Sequence, residues 1–204
     1  MSTQVLSVSL PSEIIYVSGT VNGTAYTWTL IEGAWTATVE RAADDTYAVA
    51  LTAVTAAGVS TNYALTLYYG LLSLITDRTR ADVENETDKG FYNASDLNRV
   101  GAAVEYIADR FTALGYACPV TVKKDWLTSD APTASQLETY RQNIVTLRGQ
   151  ITVMQSTPEA PASMAGLNYV KANNIEQILL DLDALIDKLI KSWCFSGELY
   201  AGEA

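Results

Sequence analysis

The sequence contains no histidine and only two cysteines. Histidine is the commonest general base and a frequent metal ligand, so its absence removes the usual catalytic and zinc-binding groups. Two thiols cannot form a structural zinc site without it. We therefore expect Cys118 and Cys194 to be buried free thiols; the alternative, a disulfide between them, requires the ends of two helices to meet.

Basic residues are also scarce. The chain has 13 lysines and arginines and 23 acidic residues, which gives a formal net charge of −10. Residues 1–70 contain one basic residue, Arg41, and five acidic ones. Both halves of the chain are therefore acidic, which argues against nucleic acid or an anionic membrane as a partner.

Long apolar runs are missing too. The longest, near Leu71 to Ile75, is far shorter than the roughly 20 residues of a membrane span. The opening stretch MSTQVLSVSLPSE lacks the basic and apolar regions of a signal peptide. We therefore expect no membrane partner, no secretion signal and a protein that is made and used in the cytoplasm or leaves the cell by lysis.

Motifs that carry chemistry are absent as well: the sequence has no P-loop, dinucleotide-binding fingerprint or nucleophile elbow. Asp181, Asp183 and Asp187 invite a metal or acid–base interpretation, but Lys188 and Lys191 lie beside them and favour a solvated helix face. The sequence predicts no catalytic residue, no metal site and no cofactor, and hence a protein that is not an enzyme.

The first seventy residues alternate with a period of two, and threonine, valine, tyrosine and tryptophan are frequent among them. Turn signals at Asn22-Gly23 and Glu32-Gly33 separate six or seven short strands. This pattern predicts a small β-sandwich over residues 1–70. Trp28 and Trp35 are candidates for its core, and the alternative is that they stack on a ligand.

The segment DDTYAVALTAVTAAGVST, from Asp44 to Thr61, resembles the penultimate strand and last hairpin of bacterial immunoglobulin-like and fibronectin-like domains. In those domains a D-x-T-Y run opens the strand and an A-A-G run turns it. The resemblance implies that Tyr47 occupies the tyrosine-corner position. It implies a fold, an immunoglobulin-like sandwich, and no particular function.

After this β module the periodicity changes to that of helices. Residues 71–90 read as an apolar joint followed by a short helix, capped by Thr79 and Asp82 and ending at Gly90. Within residues 91–204, three amphipathic helices are predicted: one that Asn93 or Ser95 caps and Gly115 ends, one over about 134–153 and one over 168–193. The predicted fold class is thus α+β in two domains, a β-sandwich followed by an antiparallel three-helix bundle with a docked C-terminal tail.

Several aromatic and apolar residues are candidates for an interface. Tyrosines near the end of the β module either bind a partner or pack on the helical half. The segment PVTVKKDW either crosses the helices or pairs with a sheet edge of another subunit. The tail CFSGELYAGEA docks on its own chain or on a neighbour. The candidates are Tyr63, Tyr68, Tyr69, Trp126, Phe195, Leu199 and Tyr200.

The helical half resembles proteins encoded in prophages of gut Gram-positive bacteria. The matching words are TDRTRADVENETDKGFYNASDLNRVGAAVEYIADRFTALGY, KKDW, GLNYVKANNIEQILLDLDALIDKLIKSW and FSGELYAGEA, within residues 76–204. In those proteins a variable β or fibronectin-like module often precedes this helical segment, and they are found among tail and host-recognition proteins.

The resemblance implies a structural protein of a virion, in the tail or tail tip, that assembles in the bacterial cytoplasm. Its implied partners are other virion proteins, further copies of the same chain and a host-surface ligand. The alternative function is a bacterial surface or carbohydrate-binding module, which would present exposed aromatic residues on one β face.

Overall fold

The structure, a computed structural model, describes residues 3–42, 46–69 and 73–196, the last four of these by their backbone alone. The described residues form two antiparallel β-sheets and four α-helices. The strands all precede the helices in the chain. The prediction of a mixed α+β fold, with β structure first and helices after it, is confirmed.

Seven strands form the two sheets. One sheet has the order β1-β5-β4 and the other the order β3-β2-β6-β7. The strands are β1 (Thr3–Val8), β2 (Ile14–Val21), β3 (Thr24–Thr27), β4 (Thr29–Ile31), β5 (Ala34–Glu40), β6 (Thr46–Thr55) and β7 (Ser60–Tyr68).

The hydrophobic core of the β strands draws on both sheets. On β6 the alternating residues Tyr47, Val49 and Leu51 are buried, whereas Ala48 and Ala50 are exposed, as the period of two requires. Both predicted tryptophans lie in this core, so their placement in the core is correct. The core members are Leu6, Val8, Ile14, Val17, Val21, Trp28, Trp35, Ala37, Val39, Tyr47, Val49, Leu51, Ala53, Leu65, Leu67 and Leu127.

Two local features of the β strands follow the sequence signals. The Tyr47 hydroxyl accepts a hydrogen bond from the Ala42 amide at 3.1 Å, five residues upstream, which is the contact expected of a tyrosine corner. The Asn22-Gly23 turn has positive φ at both residues, 50° and 80°, as a two-residue hairpin with twisted strands demands.

The four helices are α1 (Arg80–Glu84), α2 (Ala94–Ala113), α3 (Ala134–Arg148) and α4 (Tyr169–Ser196). Thr79 and Asp82 form the predicted capping pair of α1, since each side chain bonds the backbone of the other residue. Asn93 caps α2, because its side-chain oxygen accepts from the Ser95 amide at 2.9 Å.

The end of α2 also lies where the sequence indicates. Gly115 has φ +87°, its amide donates to the Thr112 carbonyl, and the Tyr116 amide donates to the Phe111 carbonyl at 3.0 Å. These two bonds form a Schellman motif. The Phe111 and Tyr116 rings meet edge-on, 5.8 Å between centroids, which supplies the apolar contact that accompanies this motif.

Two predicted helices are longer than the observed ones. α1 stops at Glu84 instead of continuing to Lys89, and a single 3-10 turn covers Asp88–Gly90. α3 stops at Arg148 instead of residue 153. Gly149 follows it directly and costs about 1 kcal/mol relative to alanine in a helix, and β-branched residues come soon after.

The described chain divides into two compact units. The first unit comprises Met1–Ser73, Phe91–Ala103 and Val122–Thr133; the second comprises Leu74–Gly90, Val104–Thr121 and Ala134–Ala204. The units have boundaries after residues 73 and 90, and further boundaries lie within α2 and on both sides of residues 122–133.

Long-range contacts explain why residues 91–103 and 122–133 belong to the first unit. The buried Asn98 side chain donates from Nδ2 to the carbonyls of Thr66 and Trp126, 3.0 Å each, and accepts from the Trp126 amide at 2.6 Å. Leu127 enters the β core. Leu71 and Leu72, the centre of the predicted apolar joint, lie outside the described residues.

Candidate functional site

Three of the predicted interface tyrosines, Tyr63, Tyr68 and Tyr69, are half-buried within the first unit. Tyr63 packs against the β core. The Arg99 guanidinium carbon lies 5.8 Å from the ring centroid of Tyr68, and Lys124 Nζ lies 5.2 Å from that of Tyr69, both within cation–π range. These cations come from segments that follow the β strands in the chain, so Tyr68 and Tyr69 are engaged within their own unit.

Trp126 was predicted as an interface residue, but only 5% of it is exposed. Its backbone is held by the Asn98 side chain, and Lys123 Nζ lies 4.9 Å from its ring centroid. The residue therefore belongs to the interior of the first unit. Of the remaining candidates, Leu199 and Tyr200 lie outside the described residues, and so does the side chain of Phe195.

Residues 122–128, which we call the covering segment, form no strand and lie against the β core and α2. Asp125 Oδ2 accepts from the Ser9 amide at 2.5 Å, just beyond β1, and Asp125 Oδ1 accepts from Lys123 Nζ at 2.7 Å. Gly101 of α2 leaves room for this segment, since a Cβ there would be 2.8 Å from the Lys123 carbonyl oxygen. The segment thus satisfies a backbone donor beside β1 through a side chain.

The electrostatics of Asp125 follow from this position. Burial opposes ionisation of its carboxyl, but the hydrogen bond from Lys123 and those from Ser9 outweigh burial and lower its pKa below the usual value. Asp125 is therefore charged, and its role is to hold the covering segment against the backbone that follows β1.

A groove of about 580 Å³ lies on the outer face of the β2-β6-β7 strands. Its floor is wide because Thr20, Ala50 and Ala64 are register partners on one face and are all small. The α2 start and the covering segment form the walls. The lining residues are Thr20, Gly23, Ala48, Val49, Ala50, Ala64, Leu65, Thr66, Asn93, Ala94, Ser95, Trp126 and Thr128. This lining offers hydroxyl and amide groups and has no ionisable side chain.

Sequence periodicity did not identify the most exposed apolar side chains. In the first unit six large apolar residues are between 53% and 63% exposed: Val5, Ile15, Tyr16, Leu30, Ile31 and Val59. A register shift between Ile14 and Tyr16 marks a bulge in β2, so Ile15 leaves the alternation that would have buried it.

Two of the three aspartates on α4 are bound by a basic residue from another helix. Arg110 of α2 pairs with Asp183 and with Asp187, the latter at 2.5 Å, and its hydrogen bond lowers the pKa of Asp187. Asp181 instead accepts from Gln177 Nε2 at 2.8 Å. Among the described residues, no group of three or more acidic or cysteine side chains has the arrangement of a metal site.

Two further charged residues of the second unit form a buried pair that the sequence did not reveal. Arg78 Nη2 lies 2.8 Å from Glu176 Oε1, and their side chains are 1% and 0% exposed. Glu176 Oε2 also accepts from the Ile75 amide at 2.6 Å. This pair fastens the segment before α1 to α4.

Cys118 is a half-buried free thiol, and burial raises its pKa. The Cys194 side chain lies outside the described residues. Across residues 3–42, 46–69 and 73–196, no helix combines the length and apolar character that crossing a membrane requires.

Comparisons of the chain with protein-family models, with curated proteins and with solved structures return no match.

Proposed function

We propose that this protein is a non-enzymatic structural component of a bacteriophage or prophage virion, in the tail or tail tip. In this proposal it mediates protein–protein assembly and host-surface recognition, and the second unit anchors it and brings copies together. The observation that carries the assembly role is the set of six large apolar side chains that the first unit exposes to more than half. The virion setting rests on the resemblance of residues 76–204 described above.

The arrangement of strands supports an immunoglobulin-like sandwich as the fold of the β half. The order β1-β5-β4 corresponds to strands B, E and D of that fold, and the order β3-β2-β6-β7 corresponds to C′, C, F and G. The hydrogen bond between the Tyr47 hydroxyl and Ala42 then lies where a tyrosine corner is expected, between strands E and F. Such folds serve widely as rigid modules for presenting binding surfaces.

The helical residues support an anchoring role for the second unit, as a three-helix bundle. α3 buries Tyr140, Ile144 and Leu147, and α4 buries a stripe that includes Ile175, Leu179 and other residues at helical spacing. Ion pairs such as that between Arg110 and Asp187 add connections between its helices. A rigid base of this kind can hold copies of the chain in a fixed arrangement.

The proposal is tested with the full chain. Light scattering of the purified protein should give the mass of an oligomer, that is, two or more times the 22.1 kDa of one chain. Particles induced from the producing strain, purified on a density gradient, should contain the protein in a constant ratio to the major tail protein. A monomer that is absent from purified particles would contradict both the assembly role and the virion setting.

A carbohydrate-binding module is the second candidate, and the uncharged groove on the β2-β6-β7 face favours it. Threonine hydroxyls and the Asn93 amide there can exchange hydrogen bonds with sugar hydroxyls, while Ala50 and Ala64 accommodate an apolar sugar face. A glycan array probed with the full chain tests this function. Binding that Ala50→Trp abolishes by filling the groove would favour it over the assembly role.

A further inference from the structure

Five of the six exposed apolar residues lie at the same end of the first unit. They are Ile15, Tyr16, Leu30, Ile31 and Val59, each between 53% and 63% exposed. The sixth, Val5, lies in the middle of β1, opposite Thr38. We call the end that carries the five residues the loop end.

Strand directions and register place all five residues at this end, three on or beside the sheet that contains β2 and two on the sheet that contains β4. Val8 at the end of β1 pairs with Trp35 at the start of β5, and Ile31 at the end of β4 pairs with Ala34. In the other sheet, Ile14 at the start of β2 pairs with Thr55 at the end of β6. The connections β1–β2, β4–β5 and β6–β7 therefore all lie at this end, and each of them borders at least one of the five exposed residues.

The charged residues in the strand connections of the loop end are all acidic. Glu13 and Glu32 are exposed in two of its connections. Residues 1–69 contain one basic residue, Arg41, and it follows β5 at the opposite end of the strands. Lys123 approaches through the covering segment, but Asp125 and Asp130 both pair with it. The loop end therefore combines exposed apolar groups with an acidic border.

We propose that the loop end docks onto another protein, at an apolar patch bordered by lysine or arginine side chains. Complementary charge steers and orients such a contact, while the apolar centre supplies its affinity. This inference deepens the assembly role proposed above and rests on it, because it names the surface and the chemistry of the partner.

The same charges argue against two other binding partners for the loop end, a second copy of the chain and a lipid bilayer. A symmetric contact between two copies would set Glu13 and Glu32 of one loop end against the same residues of the other, and like charges there repel. A bilayer rich in anionic lipids would also repel the acidic border, since membrane-binding surfaces carry lysine and arginine. A basic protein surface satisfies both the apolar and the acidic groups.

Photo-crosslinking in the producing bacterium tests the docking. The full chain carries the photoreactive residue p-benzoylphenylalanine in place of Tyr16, and in a separate control in place of Thr24, which is exposed at the opposite end of the strands. After irradiation, mass spectrometry identifies the crosslinked peptide. The expected result is an adduct of the Tyr16 position with one other protein, on a peptide with lysine or arginine beside apolar residues, and no such adduct from the Thr24 position.

Further substitutions, made in the chain that carries the photoreactive residue in place of Tyr16, measure how much individual surface residues contribute to the docking. Ile15→Ser combined with Ile31→Ser should lower the adduct yield about tenfold or more, as removal of central interface residues does. Glu13→Lys should lower it as well, whereas Asp109→Lys, an equal change of net charge on an exposed residue of α2, should leave it unchanged. Thermal unfolding of each purified variant confirms that these substitutions leave the fold intact.

The outcomes separate this inference from the proposed function. An adduct with a second copy of this chain, an adduct with lipid, or no adduct from the Tyr16 position would each overturn the docking proposal. If the protein is present in purified particles but forms no adduct there, the docking fails and the virion role stands. If the adduct partner is a protein that is absent from particles, the docking stands and the virion role fails.

Discussion

The buried ion pair of the second unit makes a sharp prediction for Glu176→Gln. In the native chain the Glu176 carboxylate pairs with Arg78 at 2.8 Å and accepts from the Ile75 amide at 2.6 Å. Glutamine has the same shape but no charge, and its NH₂ group must face one of these two donors. The substitution therefore removes the negative charge that faces the buried guanidinium and sets one donor against another.

The expected loss is about 3–5 kcal/mol of unfolding free energy, the usual cost of removing one partner of a buried pair. With a urea dependence of about 2 kcal/mol per molar, the midpoint should fall by about 1.5–2.5 M. Urea titrations followed by circular dichroism at 222 nm measure this loss, because that signal reports the helices of the second unit.

A matched control exists in the same segment. Arg80 and Glu84 form an exposed ion pair, with side chains 79% and 58% exposed, and Glu84→Gln should cost no more than about 0.5 kcal/mol. The double variant Arg78→Met with Glu176→Leu should lose less than Glu176→Gln alone, since it leaves no unpaired charge. A loss below about 1 kcal/mol for Glu176→Gln would refute the reasoning, because it would mean that water reaches the pair.

Three further predictions concern the first unit. Gly101→Ala should lower the unfolding free energy by about 1–2 kcal/mol in urea titrations, although alanine favours helices, because its Cβ would meet the Lys123 carbonyl at 2.8 Å; a gain in stability would contradict that contact. Tyr47→Phe should cost about 1 kcal/mol in the same assay, since the Ala42 amide loses its hydroxyl acceptor, and an unchanged midpoint would disprove the corner's contribution. Asp125 has a lowered pKa in the fold, so its stabilisation is present above about pH 4 and is lost as the pH falls through the folded value. The unfolding free energy of the wild type should therefore approach that of Asp125→Asn in acid, and a constant difference from pH 6 to pH 3 would count against this linkage.

Local signals predicted the elements of this fold well. The period of two identified the β strands, and the period near 3.6 identified α2, α3 and α4. Tyr47 and Gly115 were each predicted from a short motif whose hydrogen bonds form within about five residues. Such contacts depend on nearby sequence alone, so nearby sequence is enough to find them.

Long-range polar contacts were harder to predict, although the spacing of one participating residue indicates that it is buried. Glu176 lies four residues after Ala172 and three before Leu179, both of which are buried, so its position on the apolar face of α4 was readable from spacing. Its partner, Arg78, is 98 positions upstream, and no local pattern connects the two. The same limit applies to Arg110, which binds the α4 aspartates from another helix.

The division of the chain into units depends on which elements share contacts, and periodicity carries no information on that. Asn98 belongs to a helix and Leu127 to an irregular segment, yet the first binds the β7 carbonyl of Thr66 and the second enters the β core. Asp125 satisfies the Ser9 amide through its carboxylate, so the covering segment needs no strand geometry to protect this part of the sheet. A pattern-based boundary at residue 70 separates the strands from the residues that complete their core. The covering segment is therefore as much a part of the β module as any strand, because it fills the core and binds the backbone that follows β1.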